Sequence, residues 1–175
     1  MKAAAQPAAP ESKSFAIAEL DRLMGFFPRV EGKASFVLAL NIAMLGLLAL
    51  NYPMRHIGSP RGAFGIVAAF YIFLSVSQLY VVFFPHLKPG DKPSLIYFQD
   101  VAAMGWRRYH QAVSVLTEAE LLEDLTCQIW RNAEILKIKY DRTRSAFLFT
   151  LIALPFWIFM LLALALRDGK IVLGG

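Results

Sequence analysis

The sequence has 175 residues, of which 57% are hydrophobic, and it carries a formal net charge of +5. Its single Cys excludes an intrachain disulfide, and its three scattered His residues offer no metal-ligand spacing. This composition is typical of a small polytopic membrane protein and predicts neither a metal site nor a cofactor.

The N-terminal segment comes first in chain order. Met1–Ser14 is rich in Ala and Pro and lacks the apolar core of a signal peptide, so we predict a disordered lead. Residues 15–33 are predicted to form an amphipathic helix before the first span, because large apolar residues recur there at helical spacing. Pro28 is expected to end or kink this helix, whose simplest role is to anchor the chain at the membrane surface.

Three apolar runs of 19 to 22 residues contain no charged residue and no His: Ala34–Tyr52, Ala63–Phe84 and Ala146–Leu166. Each is long enough to cross a hydrocarbon core of ~30 Å. The predicted fold class is therefore an all-α membrane protein with three transmembrane helices, the first two forming an N-terminal hairpin over residues 34–84 and the third covering 146–166. Polar side chains inside the hairpin are predicted to hydrogen-bond to neighbouring helices, with pore lining as the alternative; they are Asn41, Ser75, Ser77 and Gln78.

Residues 85–145 are predicted to form a cytosolic helical region. A short apolar segment, Pro93–Gln99, precedes a predicted helix over Asp100–Leu116. Thr117 and Glu120 have the spacing of a capping box, in which a hydroxyl and a carboxylate satisfy free backbone N–H groups reciprocally. Because no Gly or Pro follows before Pro155, one long helix is predicted to run from Glu118 into the third span, with a kink at that proline.

The cytosolic part of the long helix has two neighbouring faces. One is an apolar seam of Leu122, Leu125, Ile129, Ala133, Leu136 and Tyr140, and beside it lies a polar stripe of Gln128, Asn132, Ile135 and Lys139. In one interpretation the helix packs on one side and is solvated on the other. In the second, buried Gln128 and Asn132 fix the register of an oligomer or hydrogen-bond a ligand.

The distribution of basic residues predicts the topology. With a cytoplasmic N-terminus, 14 of the 18 Lys and Arg residues lie inside and four lie outside, as the positive-inside rule requires. Residues 167–175 then form a short external tail. No nucleotide-binding loop, nucleophile elbow or metalloprotease motif occurs in the sequence, so we expect no catalytic residue and no enzymatic activity. Three classes remain: a ligand-gated or assembly-gated membrane effector, a passive membrane scaffold and a lysis-type pore former. The ordered region between the spans disfavours the last.

Several short motifs keep a defined order relative to the spans. Residues 21–35 carry Asp-Arg-Leu and then Phe-Pro-Arg-Val-Glu-Gly-Lys-Ala-Ser before the first span, and a Tyr97-Phe98 element follows the hairpin. Residues 123–140 contain Glu-Asp-Leu-Thr-Cys-Gln-Ile, Asn-Ala-Glu-Ile and Lys-Tyr before the last span. In this order the motifs resemble the transmembrane Pycsar effector family of bacterial antiphage defence, over roughly Glu19 to Leu166.

The resemblance implies a multi-pass protein of the bacterial inner membrane that responds to a cyclic pyrimidine nucleotide, cyclic CMP or cyclic UMP, and impairs the membrane to arrest the infected cell. It implies that this ligand and the lipid bilayer are its partners. We further expect a homo-oligomer and no nucleic-acid partner. The alternative is a non-catalytic scaffold that anchors a cytosolic partner through the long helix.

A site for such a nucleotide needs a cation for the phosphate, an aromatic ring for stacking and polar groups for the base edge. The candidates are Lys33, Arg107, Arg108 and Lys139 for the phosphate, Tyr97, Phe98 and Tyr140 for stacking, and Gln128 and Asn132 for the base. Structural roles compete for the cations, since Arg107 and Arg108 could contact anionic lipid and Lys139 could pair with Glu31 or Asp21.

Overall fold

The structure, a computed structural model, describes residues 9–51, 60–84 and 93–168, and this part of the chain contains helices but no strand. The helices are α1 (Ala9–Met24), α2 (Phe27–Asn51), α3 (Pro60–Phe83), α4 (Phe98–Met104), α5 (Trp106–Ser114) and α6 (Glu118–Asp168). Three helical stretches are long and apolar enough to cross a membrane: Glu11–Asn51, Gly62–Phe83 and Glu118–Ala163. The prediction of an all-α membrane protein with three spans is therefore confirmed.

The chain divides into two compact units. Within the described residues, 9–28 and 93–137 form one, here named the polar unit, and 29–51, 60–84 and 138–168 form the other, named the spanning unit. Helix α6 belongs to the polar unit up to Lys137 and to the spanning unit from Ile138. The predicted turn between the first two spans falls mostly outside the described residues, as do the start of the predicted disordered lead and most of the predicted external tail.

The N-terminal boundaries differ from the prediction. Helix α1 begins at Ala9, so the last residues of the predicted disordered lead are helical. It ends at Met24, and a turn follows in which Gly25 N–H donates to the Asp21 carbonyl at 3.1 Å. Pro28 lies in the first turn of α2, where a helix needs no N–H donor, so this proline helps to begin a helix and does not end one.

The spanning unit is packed around small side chains. Ala34, Ala68, Ala146 and Ala153 are fully buried, which lets α2, α3 and α6 approach closely. Larger side chains, including those of Met44, Ile72 and Met160, fill the remaining space, whereas many others stay exposed, among them Phe36, Phe70, Phe73 and Phe159. A bundle with small residues inside and large apolar residues outside suits a hydrocarbon environment.

Helix α6 starts at the predicted capping box. Thr117 donates to the Glu120 carboxylate through its N–H at 2.9 Å and through its hydroxyl at 2.7 Å, while Glu120 N–H donates back to the Thr117 hydroxyl at 3.3 Å. These bonds, led by that of the side-chain hydroxyl, hold the pKa of the Glu120 carboxyl below its ordinary value. The predicted long helix is confirmed, and Pro155 lies within it without ending it.

One prediction for the polar unit is corrected, and the burial along α6 bears on the two interpretations of its faces. The expected single helix over Asp100–Leu116 is broken at Gly105, whose φ of 75° is readily adopted only by glycine. On α6 the buried side chains include Leu125 and Leu136 of the apolar seam together with Gln128 and Lys139 of the polar stripe, whereas Ala133 of the seam is exposed. The buried face is thus rotated toward the polar stripe.

Candidate functional site

The three spans share a buried hydrogen-bonded cluster. Asn41 on α2 donates its amide to the Ser75 hydroxyl on α3 at 2.8 Å. Thr150 on α6 lies 3.0 Å from the Ser75 hydroxyl and can donate to the Asn41 amide oxygen at 3.1 Å, and Ser75 can donate to the Ala146 carbonyl at 2.9 Å. One consistent arrangement therefore satisfies both hydroxyls and the Asn41 oxygen within the bundle.

This cluster confirms the predicted helix contact for Asn41 and Ser75. Gln78 also bonds between helices, since Arg142 on α6 donates to its amide oxygen at 2.8 Å. Ser77, by contrast, donates to the Leu74 carbonyl of its own helix at 2.7 Å, so the expectation of an interhelical bond is wrong for this residue. Unpaired polar groups are costly in hydrocarbon, and this cost favours the one helix register that pairs them.

An ion pair joins α2 to α6 near the start of the spans. The Lys139 ammonium lies 2.6 Å from a Glu31 carboxylate oxygen, and the Lys139 side chain is 7% exposed against 44% for Glu31. Glu31 is one of the two partners weighed for Lys139 from the sequence, and this pairing is confirmed. An ammonium as buried as that of Lys139 needs a counterion, and the Glu31 carboxylate serves as one.

Next to this ion pair the spanning unit has a groove of about 530 Å³ between α2 and α6, here named the spanning groove. The Lys33 ammonium lies 5.8 Å from the centre of the Tyr140 ring, a cation–π arrangement that brings two predicted site residues together. The other lining residues are Gly32, Phe36, Val37, Thr143, Arg144 and Phe147. The groove therefore combines two cations with largely apolar walls.

The polar unit has a second groove, of about 620 Å³, here named the polar groove. Its lining includes Gln128 and Arg131 on α6, the carboxylates of Glu120, Glu123 and Asp124, and apolar residues before and after α5, with Leu95 and Leu116 among them. Gln128 is only 4% exposed, and within the described residues its side-chain amide has no hydrogen-bond partner. An almost buried, unpaired amide that lines a groove is suited to a polar ligand.

One wall of the polar groove is a short segment held by side chains. Ser94 N–H donates to Asp100 and Leu95 N–H donates to Asp124, each at 2.9 Å. Farther along, the Arg131 guanidinium lies 5.3 Å from the centre of the Tyr97 ring. The Tyr97 hydroxyl is buried without a partner in the described part of the chain. The segment is thereby fixed next to Gln128 and Arg131 on α6.

The chain matches the family model of the Pycsar effector protein domain (PycTM) over residues 15–167. The chain belongs to this family. The match covers the three spans and the region between them, and it confirms the resemblance inferred from the order of the motifs. No curated protein and no solved structure matches the chain. The protein is thus a multi-pass membrane effector of cyclic-nucleotide-linked antiphage defence.

Three of the nine predicted ligand-binding residues of this Pycsar effector line one of the two grooves. Lys33 and Tyr140 share the spanning groove, Gln128 lines the polar groove, and Lys139 forms an ion pair with Glu31. The others line neither groove: Tyr97 lies beneath Arg131 and against the exposed Phe98, Arg107 and Arg108 are exposed on α5, and the half-buried Asn132 donates to the Gln128 main-chain carbonyl at 2.8 Å.

Three residues of the Pycsar effector were missed from the sequence. Arg131 follows Gln128 by one helical turn, a spacing that could have revealed it. Arg144 lies one turn beyond Tyr140 in the same way. For Thr150 no such signal exists, because a lone Thr in an apolar span becomes a partner only when its helix is packed. In the described ranges, no three His, Cys, Asp or Glu residues come together as metal ligands.

Proposed function

We propose that this protein is activated by a cyclic pyrimidine nucleotide, cyclic CMP or cyclic UMP, and then impairs the bacterial inner membrane, without catalysing a reaction. The observation that carries this proposal is the family match, which extends over the spans and the polar unit together. An effector that only responds to a messenger needs a binding site and a membrane bundle, and it needs no catalytic group.

The nucleotide binds in the polar groove. The Gln128 amide offers a donor and an acceptor side by side, which matches the hydrogen-bonding edge of cytosine or uracil. The cyclic phosphate carries one negative charge and lies toward the Arg131 guanidinium. The carboxylates elsewhere in the groove repel the phosphate and can accept hydrogen bonds from the ribose hydroxyl, which gives the ligand a single orientation.

The polar unit faces the cytosol and the N-terminus is cytoplasmic. This orientation rests on the placement of 14 of the 18 Lys and Arg residues on the cytosolic side. It puts the polar groove where the nucleotide is made. A reporter fused after Gly175 should therefore be located in the periplasm, and a cytoplasmic location would contradict the proposed orientation.

Membrane impairment requires several copies of the chain. In one copy the buried polar atoms of Asn41, Ser75 and Thr150 bond to one another or to a main-chain carbonyl, which leaves little to line a water path. The exposed Trp130 on α6 offers an apolar contact for a homo-oligomer. Crosslinking in membranes, with and without nucleotide, tests the assembly, and a monomer under both conditions would contradict it.

Calorimetry of the detergent-solubilised full chain against cyclic CMP and cyclic UMP, with cyclic AMP as the purine control, tests the proposed ligand. Binding of one pyrimidine nucleotide, together with depolarisation of cells that receive it, supports the effector function. If neither nucleotide binds and neither depolarises cells, the scaffold alternative takes its place. The exposed Trp130 then marks the surface for a protein partner.

A further inference from the structure

The spanning groove lies where the charged part of the sequence ends and the spans begin. Lys33 and Arg144 are the last charged residues before the first and third apolar runs, and both line the groove. Phe36 and Phe147, each about one helical turn further along, continue it into the spans. The groove therefore has a cationic end at the membrane boundary and an apolar end within the hydrocarbon.

The apolar end of the groove is open. Phe36 is 68% exposed and Phe147 is 45% exposed. A Cβ added at Gly32 would meet no atom within 4 Å, so the glycine leaves space beside α2. In a bilayer such an opening beside two spans is filled by hydrocarbon chains.

The cationic end is available to an anion. Within the described residues no carboxylate pairs with Lys33 or Arg144. Lys33 is placed over the face of Tyr140, and Arg144 contributes a planar guanidinium fork suited to a phosphate. Together these groups fit a phosphodiester at the level where lipid headgroups lie.

We propose that the spanning groove binds an anionic phospholipid, with its phosphate against Lys33 and Arg144 and an acyl chain along Phe36 and Phe147. A free cyclic nucleotide shares the phosphodiester charge but has no chain to cover the apolar walls, so the lipid is the occupant that matches both ends. This site lies in the spanning unit and is independent of the nucleotide site proposed for the polar unit.

Native mass spectrometry of the detergent-solubilised full chain tests the proposal, with dioleoylphosphatidylglycerol titrated against dioleoylphosphatidylcholine. Each cation near an anionic lipid surface contributes roughly a fivefold preference, so the pair should favour phosphatidylglycerol by about thirtyfold. Inorganic phosphate and cyclic UMP are added in separate arms. Displacement of the lipid by either one at micromolar concentration would show a site for free anions and overturn the proposal.

Two kinds of variant locate the site. Gly32→Leu places a side chain into the groove and should reduce retention of phosphatidylglycerol at least tenfold, whereas Gly46→Leu, also open around its Cβ on the same helix, is the matched control and should retain it. The double substitution Lys33→Gln with Arg144→Gln should bring the preference between the two lipids close to one. Undiminished phosphatidylglycerol binding in Gly32→Leu, or an unchanged preference in the double variant, would refute the lipid site.

Discussion

Replacing Gln128 by Met separates ligand binding from folding. The Gln128 side chain is 4% exposed and unpaired within the described residues, and its amide lines the polar groove, where solvent still reaches it. An amide that is fully buried without a hydrogen bond costs about 1–3 kcal/mol, and one that solvent still reaches costs less. The Met side chain has nearly the same length and shape as that of Gln and has no polar group that needs a hydrogen bond. Gln128→Met should therefore leave the free energy of unfolding unchanged or raise it by about 1 kcal/mol.

The same substitution should weaken nucleotide binding. Losing the paired donor and acceptor on the base edge removes about 1–3 kcal/mol of binding free energy, which corresponds to roughly a ten- to hundredfold rise in Kd. Calorimetry against cyclic CMP and cyclic UMP measures the affinity, and thermal unfolding in detergent measures the stability. Gln111→Ala, an exposed site on α5, is the control and should change neither quantity.

The reasoning about Gln128 is refuted by either of two results. If Gln128→Met binds nucleotide as tightly as the parent, the amide does not contact the base. If the variant is instead destabilised by more than about 2 kcal/mol, the Gln128 amide has a structural hydrogen-bond partner and does not serve to bind a ligand in the polar groove.

Three further predictions concern stability. Ser75→Ala should lower the free energy of unfolding by about 1–2 kcal/mol, because the Asn41 amide N–H loses its buried acceptor. Ser77→Ala should change it little, because the Ser77 hydroxyl bonds to a carbonyl of its own helix. Glu31→Gln should lower it by about 1–3 kcal/mol, because buried Lys139 loses the carboxylate charge that lies beside it. The folded-state pKa of Glu120 is depressed, so its carboxylate stabilises α6 above pH 4.5, the unfolded value, and this stabilisation should be lost as the pH falls through the folded-state pKa. Circular dichroism should show a loss of helicity over this pH range, and a smaller loss in Glu120→Gln.

Each of these predictions has a contrary outcome. Equal losses in the two serine variants would mean that the shared cluster adds nothing beyond a bond within one helix. Adding Lys139→Met to Glu31→Gln should restore stability, and no recovery would contradict the counterion argument. For Glu120, identical pH profiles of parent and variant would show that another carboxylate controls the acid response.

The sequence by itself determined the spans, the long helix and the family. Uninterrupted apolar runs define spans because length and hydropathy act locally, and the capping box at Thr117 set where α6 begins. The order of short motifs around the spans identified the family. The helix break at Gly105 could not be predicted from the sequence, because a lone glycine is also tolerated inside helices.

Only the tertiary structure decided which side chains meet. A helical period shows which residues share a face, but the rotation and register of packed helices choose their partners. The packed arrangement pairs Lys139 with Glu31 and Thr150 with Asn41, and it places Gln128 beside Arg131 in the lining of the polar groove. These contacts join residues far apart in the chain, and their energies depend on burial that exists only after the helices pack.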